Sequence, residues 1–435
     1  RGNRTNTNGR NSITGSTLIM DPREPMYNED GTLRPYIGGA DGVFGYPNPV
    51  FLLQNVINKR NEADILSNAF LEISILKNLK FRSSVNGKLN YLTTKFFQPS
   101  TIGNLLGSGT SGAPPKIAQG SDGNQQLYNI STDQLLTYAP DLGIDHVFDV
   151  MVGYTAQQER VTGVSGSGNT YPDDLVPYLN AAIIKSSNSF EYSWSLLAYL
   201  ARANYSFKDK YLLSASFRRE GSSRFGEKNK WGDFPAASLG WRLSEESFMP
   251  SPEWLTDLKL RVSWGKTGNN DIGNYSHLSF MNTSNYILGN AIASGKVISS
   301  FANSALGWEK SDQLDVGMDL ALFDNKLIIT AELYKKITND MLLPISIPAV
   351  SGFTTSLANI GKVENKGLEL AADYKLTLGD FNFRSSANIA FNRSKILAIK
   401  GENDAKWYGS FYGGYNVQEV GRPIGMIYGY KKHGV

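Results

Sequence analysis

Few side chains in this 435-residue chain carry the types and spacing that bond-making chemistry needs. Asp173-Asp174 and Glu245-Glu246 are adjacent carboxylates. A glycosidase needs two carboxyl groups facing one sugar, whereas adjacent strand residues point to opposite faces. Both pairs therefore read as solvated loop charges. Gly265-Lys266-Thr267 echoes the end of a phosphate-binding loop, but the required earlier glycine falls at Leu260, an apolar strand residue. His146, His277 and His433 are scattered without ligand spacing, which argues against zinc. With no cysteine there is no thiol nucleophile, disulfide framework or thiolate metal site. The expectation is a non-enzyme with no cofactor and no metal.

Recognition chemistry is better represented. The stretch 407–415, WYGSFYGGY, sets Trp407, Tyr408, Phe411, Tyr412 and Tyr415 among glycines. Aromatic faces stack on sugar rings, and glycine lets backbone approach closely. These five residues are the candidate ligand contacts, although packing between loops or against a partner would explain them equally well. Arg82, Arg261 and Arg384 fall at strand positions on the polar face, where they serve a substrate or simply hydrogen-bond within the wall. GSGTSG and VSGSGN read as flexible loop tips rather than nucleotide cradles.

The elements that position these residues are strands. Glycine numbers 43, and tyrosine plus phenylalanine reach 22 and 21, a composition of strands and long loops. At 258–266, Leu258, Leu260, Val262 and Trp264 alternate with Lys259, Arg261, Ser263 and Gly265. The same period of two recurs at 313–322 and 368–378. Strands are expected at 65–76, 79–97, 125–138, 144–160, 190–207, 211–219, 234–243, 258–266, 312–323, 326–336, 363–378, 381–395 and 424–431. Residues 1–64 read as loop around a short helix at 50–59. Short turns such as KDK, FDNK and LGD alternate with long loops at 161–189, 267–310 and 396–419.

A soluble sandwich mixes its connection lengths, and long structureless loops are rare in it. Strict alternation of short and long is what a transmembrane barrel produces. No run of about 18 apolar residues offers a membrane-spanning helix, but barrel strands alternate, which suits the mean hydropathy of −0.29. Charged residues at every second position suit a wet lumen better than a dry core. Trp194, Trp231, Trp241 and Trp264 fall near strand ends, where interfacial girdles sit, although ordinary strand packing explains any one of them equally well. The net charge of +3 is too small and too interleaved for nucleic acid. The fold expected is all-β, an antiparallel transmembrane barrel present in part.

With the barrel in place, longer motifs stand out. REGSSRFGEKNKWGDFPAASLGWRLSEESFM followed by LKLRVSWGKTGNNDIGNY resembles the hallmark of the SusC/RagA family of TonB-dependent outer-membrane transporters. Its motif positions here are Gly221, Ser222, Ser223, Arg224, Phe225, Gly226, Trp231, Gly268 and Asn269. ANIGKVENKGLEL, VGRPIGMIYGYKKHGV, YNEDGTL and NPVFLL are similar to the same family, in its order along the chain. The resemblance implies a parent barrel of about 22 strands, occluded by an N-terminal plug that is absent here along with the closing strands. It further implies a SusD-like lipoprotein lid and energy from TonB through the missing N-terminal part. The implied cargo is an oligosaccharide or oligopeptide, imported through the barrel, whose outer wall has outer-membrane lipid as its partner. A passive porin, a surface receptor or adhesin, and a secreted β-sandwich enzyme are the alternatives from other classes.

Overall fold

The computed structural model describes residues 17–18, 23–37, 46–102, 117–250, 252–399, 407–411 and 414–428. The strands are β1 (Tyr36–Ile37), β2 (Tyr46–Pro47), β3 (Ile57–Leu76), β4 (Leu79–Gln98), β5 (Gln119–Tyr138), β6 (His146–Asn169), β7 (Ile184–Phe207), β8 (Tyr211–Ser222), β9 (Trp231–Arg242) and β10 (Leu255–Asn269). They continue as β11 (Met281–Leu288), β12 (Ala291–Ile298), β13 (Glu309–Leu322), β14 (Leu327–Ser346), β15 (Thr355–Leu378), β16 (Phe381–Ile399), β17 (Trp407–Phe411), β18 (Gly414–Gln418) and β19 (Met426–Tyr428). Twelve form one sheet in the order β16-β15-β14-β13-β10-β9-β8-β7-β6-β5-β4-β3, with neighbours in sequence order apart from the β11–β12 hairpin. The fold is all-β.

The short connections are tight for a local reason. Lys208 and Asp209 in KDK, and Phe323, Asp324 and Asn325 in FDNK, take positive φ, as does Gly379 in LGD. Positive φ matches the twist of two-residue hairpins, and Asp, Asn and Gly reach it at least cost.

Several strands run past their expected ends. Strand β6 continues to Asn169 through VTGVSGSGN, β14 reaches Ser346, and β15 starts at Thr355. Backbone pairing needs no apolar side chains, so the ladder continues where the alternation stops. The helix α1 spans only Pro49–Asn55, and β3 already begins at Ile57. Asn48 ends α1 on the N-terminal side: its Oδ1 accepts from Val50 N at 3.0 Å, while its Nδ2 donates to the carbonyls of Met26 and Arg34. The loop expected at 267–310 contains the β11–β12 hairpin, and β17, β18 and β19 form a small sheet of their own.

The chain divides into two compact units. The first comprises Arg1–Ala69, Asn86–Ser131 and Gln158–Ser193. In it Phe97 meets Tyr171 edge to face at 5.2 Å, and Asp174 accepts from Ser100 N and Oγ at 2.8 Å each. The second comprises Phe70–Val85, Thr132–Gln157 and Trp194–Val435. Across its sheet, Leu239, Val262, Val316, Leu333, Leu368 and Phe391 stand directly opposite one another on six successive strands. Val316 is 50% and Leu333 58% exposed. The neighbouring row on the other face, Asn204, Ser214, Ser238, Ser263 and Asp315, is half-buried.

Candidate functional site

Eight of the nine motif residues gather at the ends of β8 and β10 and in the loop after β8, and the ninth, Trp231, opens β9. Ser222 is fully buried. Its Oγ accepts from Arg224 N at 3.3 Å and from Asn270 Nδ2 at 3.1 Å. Ser223 and Ser195 exchange bonds: Ser223 N donates to Ser195 O, and Ser195 N to Ser223 Oγ at 2.8 Å. The Arg224 guanidinium donates to Asn274 Oδ1 at 2.9 Å and Asn270 O at 3.2 Å. It also meets Asp271 at 3.2 Å and lies 4.9 Å from the centre of the Trp194 ring. The Arg224 carbonyl accepts from His277 Nδ1 at 3.0 Å, which places the imidazole proton on that nitrogen.

Below this polar layer sits a small apolar core of Phe225, Phe234, Ile272 and Trp308. Phe225 is 1% exposed, and its ring lies 5.2 Å from Trp308. Trp308 Nε1 donates to Lys230 O at 3.0 Å, and Asn229 Nδ2 to Ala305 O at 2.8 Å. Two glycines are required by close approach. A Cβ on Gly226 would stand 2.8 Å from Ser304 O, and one on Gly268 would enter the Phe234 ring. Asn269 donates to Glu309 Oε2 at 2.8 Å, and Glu309 Oε1 accepts from Leu342 N at 2.7 Å. Asn359 completes the set, accepting from Gly307 N at 2.9 Å and donating to Gly307 O and Asp340 O. Trp231 stands apart from the core, 39% exposed, stacked against Tyr199 and abutting Gly221.

These contacts clamp both feet of the 270–308 connection: residues 270–277 to Arg224, and residues 303–309 to the β8–β9 loop and to β15. The motif is thus built from backbone acceptors, amide side chains and rings, with no activated nucleophile among them. Trp308, Asn359 and Asn303, whose Nδ2 donates to Leu357 O at 2.7 Å, carry much of the clamp and were not singled out from sequence. Asn359 lies within the quoted ANIGKVENKGLEL stretch, yet no spacing rule ties it to Gly307.

On the polar face, a furrow of about 460 Å³ follows the Asn204–Asp315 row. Asn204 donates to Asp149 and accepts from Ser214 Oγ at 2.7 Å; Ser263 Oγ donates to Asp315 at 3.2 Å. Arg261, on this face, pairs with Glu332 at 2.6 Å and Asp319 at 3.3 Å. Arg384 stands 3.9 Å from Asp373, and Arg82 lies over the Phe70 ring. Such satisfied networks suit a wet wall, and they leave Arg261 committed to its neighbours.

The other sequence candidates resolve differently. Gly265, Lys266 and Thr267 lie within β10, with Lys266 3.5 Å from Asp312. Asp174 and Glu246 are each held by hydrogen-bond donors and not by a second carboxyl group. His146 Nδ1 lies 2.8 Å from the Tyr205 hydroxyl, far in sequence and partners from His277. No cluster of metal-ligating side chains occurs among the described residues. For WYGSFYGGY, the backbone pairs β17 with β18, Trp407 opposite Gln418 and Ser410 opposite Tyr415. Tyr412 and His433 lie outside the described residues, as do the side chains of Trp407, Tyr408, Phe411 and Tyr415.

Comparison with known proteins converges on one family. The profile of the TonB-dependent receptor-like β-barrel matches residues 2–430. The TonB-dependent receptor P3 of Formosa agariphila is 28% identical over 98% of this chain and 42% of its own length. The TonB-dependent receptor SusC of Bacteroides thetaiotaomicron is 29% identical over 92% of this chain and 42% of its own. A structure of the RagAB peptide transporter superposes with a TM-score of 0.82 at 22% identity, covering 96% of this chain and 45% of that one. That last likeness is one of fold. The chain spans about two fifths of the length of these curated relatives, which are receptors and not enzymes.

Proposed function

The chain belongs to the TonB-dependent receptor-like β-barrel family, and on that premise we propose that it forms wall and outer loops of an active importer in a Gram-negative outer membrane. The observation that carries this reading is an inversion of the usual burial pattern. Large apolar side chains line the exposed face of the sheet, while Asn204, Ser263, Asp315 and their neighbours are half-buried on the other. Water penalises the first arrangement and a dry core the second; lipid outside and a wet lumen inside satisfy both.

In this reading residues 1–435 belong to the barrel domain, and the plug and remaining strands come from elsewhere in the protein. A SusD-like lipoprotein covers the mouth, and TonB supplies energy through the plug. The cargo is an oligopeptide or an oligosaccharide. The aromatic stretch with Trp407, Tyr408, Phe411, Tyr412 and Tyr415 as ligand contacts suits a sugar, and likeness of fold to the RagAB peptide transporter leaves the choice open.

The test is a structure of the full-length protein extracted from its native outer membrane, with copurifying density retained. A plugged barrel beneath a lipoprotein is expected, and trapped ligand would separate peptide from glycan. A monomer soluble without detergent would sink the membrane reading. Val262→Asp, in the exposed apolar row, should cost roughly 2 kcal/mol and lower the heat-modifiable, assembled fraction. Normal assembly of that variant would mean that the faces are assigned the wrong way round.

A further inference from the structure

On its exposed face the sheet pairs some of its cations with acids. Lys266 stands opposite Asp312 on the next strand, 3.5 Å away, and Arg219 opposite Asp233 at the same distance. One place breaks the pattern. Lys335 of β14 stands directly opposite Lys366 of β15, which stands directly opposite Arg393 of β16. In the adjoining row Glu364 stands opposite Lys395. Glu364 is drawn to Lys335 at 3.2 Å, and among the described residues Lys366, Arg393 and Lys395 have no ion pair. Four cations thus share one carboxylate. Like charges directly opposite each other on a sheet are destabilising, so a further anion beside the cluster would offset a real cost.

The position of the cluster indicates which anion. The row directly next to it is the exposed apolar one, with Leu333, Leu368 and Phe391 on the same three strands. From Leu378 and Phe381 at the short turn to Leu368 and Phe391 the exposed face carries Leu376, Tyr374, Ala372 and Leu370 on β15, opposite Phe383, Ser385, Ala387 and Ile389 on β16. Ten residue steps of about 3.4 Å, tilted by about 40°, give a band roughly 25 Å tall, the height of an outer-membrane hydrocarbon layer. The cations begin where that band ends, on the side of the long connections. Trp264, 40% exposed, stands in the same cross-strand row through Leu314, as an interfacial aromatic does.

We propose that Lys335, Lys366, Arg393 and Lys395 form a site for the phosphate headgroup of an outer-leaflet lipid, whose acyl chains lie along the Leu333–Leu368–Phe391 row. Arg393 supplies a planar fork suited to two phosphate oxygens, and the lysines supply point charges. This rests on the outer-membrane reading above, and it adds a bound lipid that the import reading does not require.

The test reconstitutes the full-length protein in bilayers of phosphatidylethanolamine with and without a phosphorylated glycolipid, and counts retained lipid by native mass spectrometry. Wild type should retain the phosphorylated glycolipid and not its dephosphorylated form. Lys366→Gln with Arg393→Gln should lower retention roughly 10- to 30-fold, and Lys326→Gln at the short-turn rim should leave it unchanged. Equal retention by the double variant, or of the dephosphorylated lipid, would overturn the proposal. So would displacement by excess inorganic phosphate at matched ionic strength, which would make free phosphate the ligand. Loss of a bound lipoprotein instead of lipid in the double variant would reassign the surface to that partner. A protein that inserts as a heat-modifiable barrel yet retains no lipid overturns only this site; one that inserts in no bilayer overturns the outer-membrane reading.

Discussion

The connection between β10 and β13 contains two regions of similar composition and opposite fate. At its feet, Ile272 and Trp308 join Phe225 and Phe234 in a buried core, with Trp308 4% exposed. Between the feet, the β11–β12 hairpin holds Ile287 and Ile292, each 77% exposed, and one charged residue, Lys296. Both regions are rich in Asn, Ser and Gly. In the clamp, Asn229, Asn303 and Asn359 reach backbone carbonyls of other segments and Asn269, Asn270 and Asn274 meet side chains, so an irregular chain is held without a ladder. In the hairpin, backbone pairing from Met281–Ile298 to Leu288–Ala291 satisfies the strands within themselves. A long loop can thus be fixed at its base while presenting a self-contained element above it.

Breaking the base should have the largest effect. Trp308→Ala removes a buried ring and one of the two donors to the Lys230 carbonyl, Ser222 N being the other, a loss of about 3–5 kcal/mol for a buried Trp. Limited proteolysis should then cut within 270–308 while the sheet stays protected; unchanged protection would refute the clamp. Gly268→Ala is next, since the added methyl meets the Phe234 ring. Overpacking of this kind costs about 1–3 kcal/mol, and Phe234→Leu in the same chain should recover part of it. If Gly268→Ala alone is as stable as the parent, the close approach is not a constraint.

The opposite rim offers a pH-dependent counterpart. In the connection after β9, Glu246 accepts from the Tyr211 hydroxyl at 2.5 Å and Trp241 Nε1 at 3.0 Å. The Tyr211 bond, then the Trp241 bond, hold its carboxyl below the usual glutamate range, with Lys210 adding to the effect. A depressed folded value means the stabilisation is complete above about pH 4.3, the ordinary glutamate value, and is lost as pH falls through the lower folded one. Hydrogen exchange in residues 243–254 should therefore rise on acidification through that window, and Glu246→Gln should abolish the pH dependence. The smallest effect belongs to the hairpin. Ile287→Ser with Ile292→Ser should change stability by less than about 0.5 kcal/mol, as exposed substitutions do. A larger loss would show that the hairpin is packed against something.

Much of the sheet was legible from residue order alone. At 313–322 and 368–378 the alternation assigns each side chain a face, and the observed register keeps those faces together across β13, β14 and β15. Strand ends were less legible. VTGVSGSGN in β6 is paired, but its two apolar residues, Val161 and Val164, stand three positions apart, so the alternation stops before the ladder does. The β11–β12 hairpin had a signal in Gly289-Asn290 between two apolar runs, a two-residue turn with Gly289 at positive φ. It was submerged in a long Gly- and Ser-rich loop.

By itself the sequence determined periodicity, turns and membership of the motif set, because these depend on neighbours one to four residues apart. Tertiary structure decided that Gly226 must clear the Ser304 carbonyl and that Asn359 answers Gly307. It also decided that Lys335, Lys366 and Arg393 share one row. Each of these joins residues 27 or more positions apart on different strands and loops, and only strand register brings such residues together.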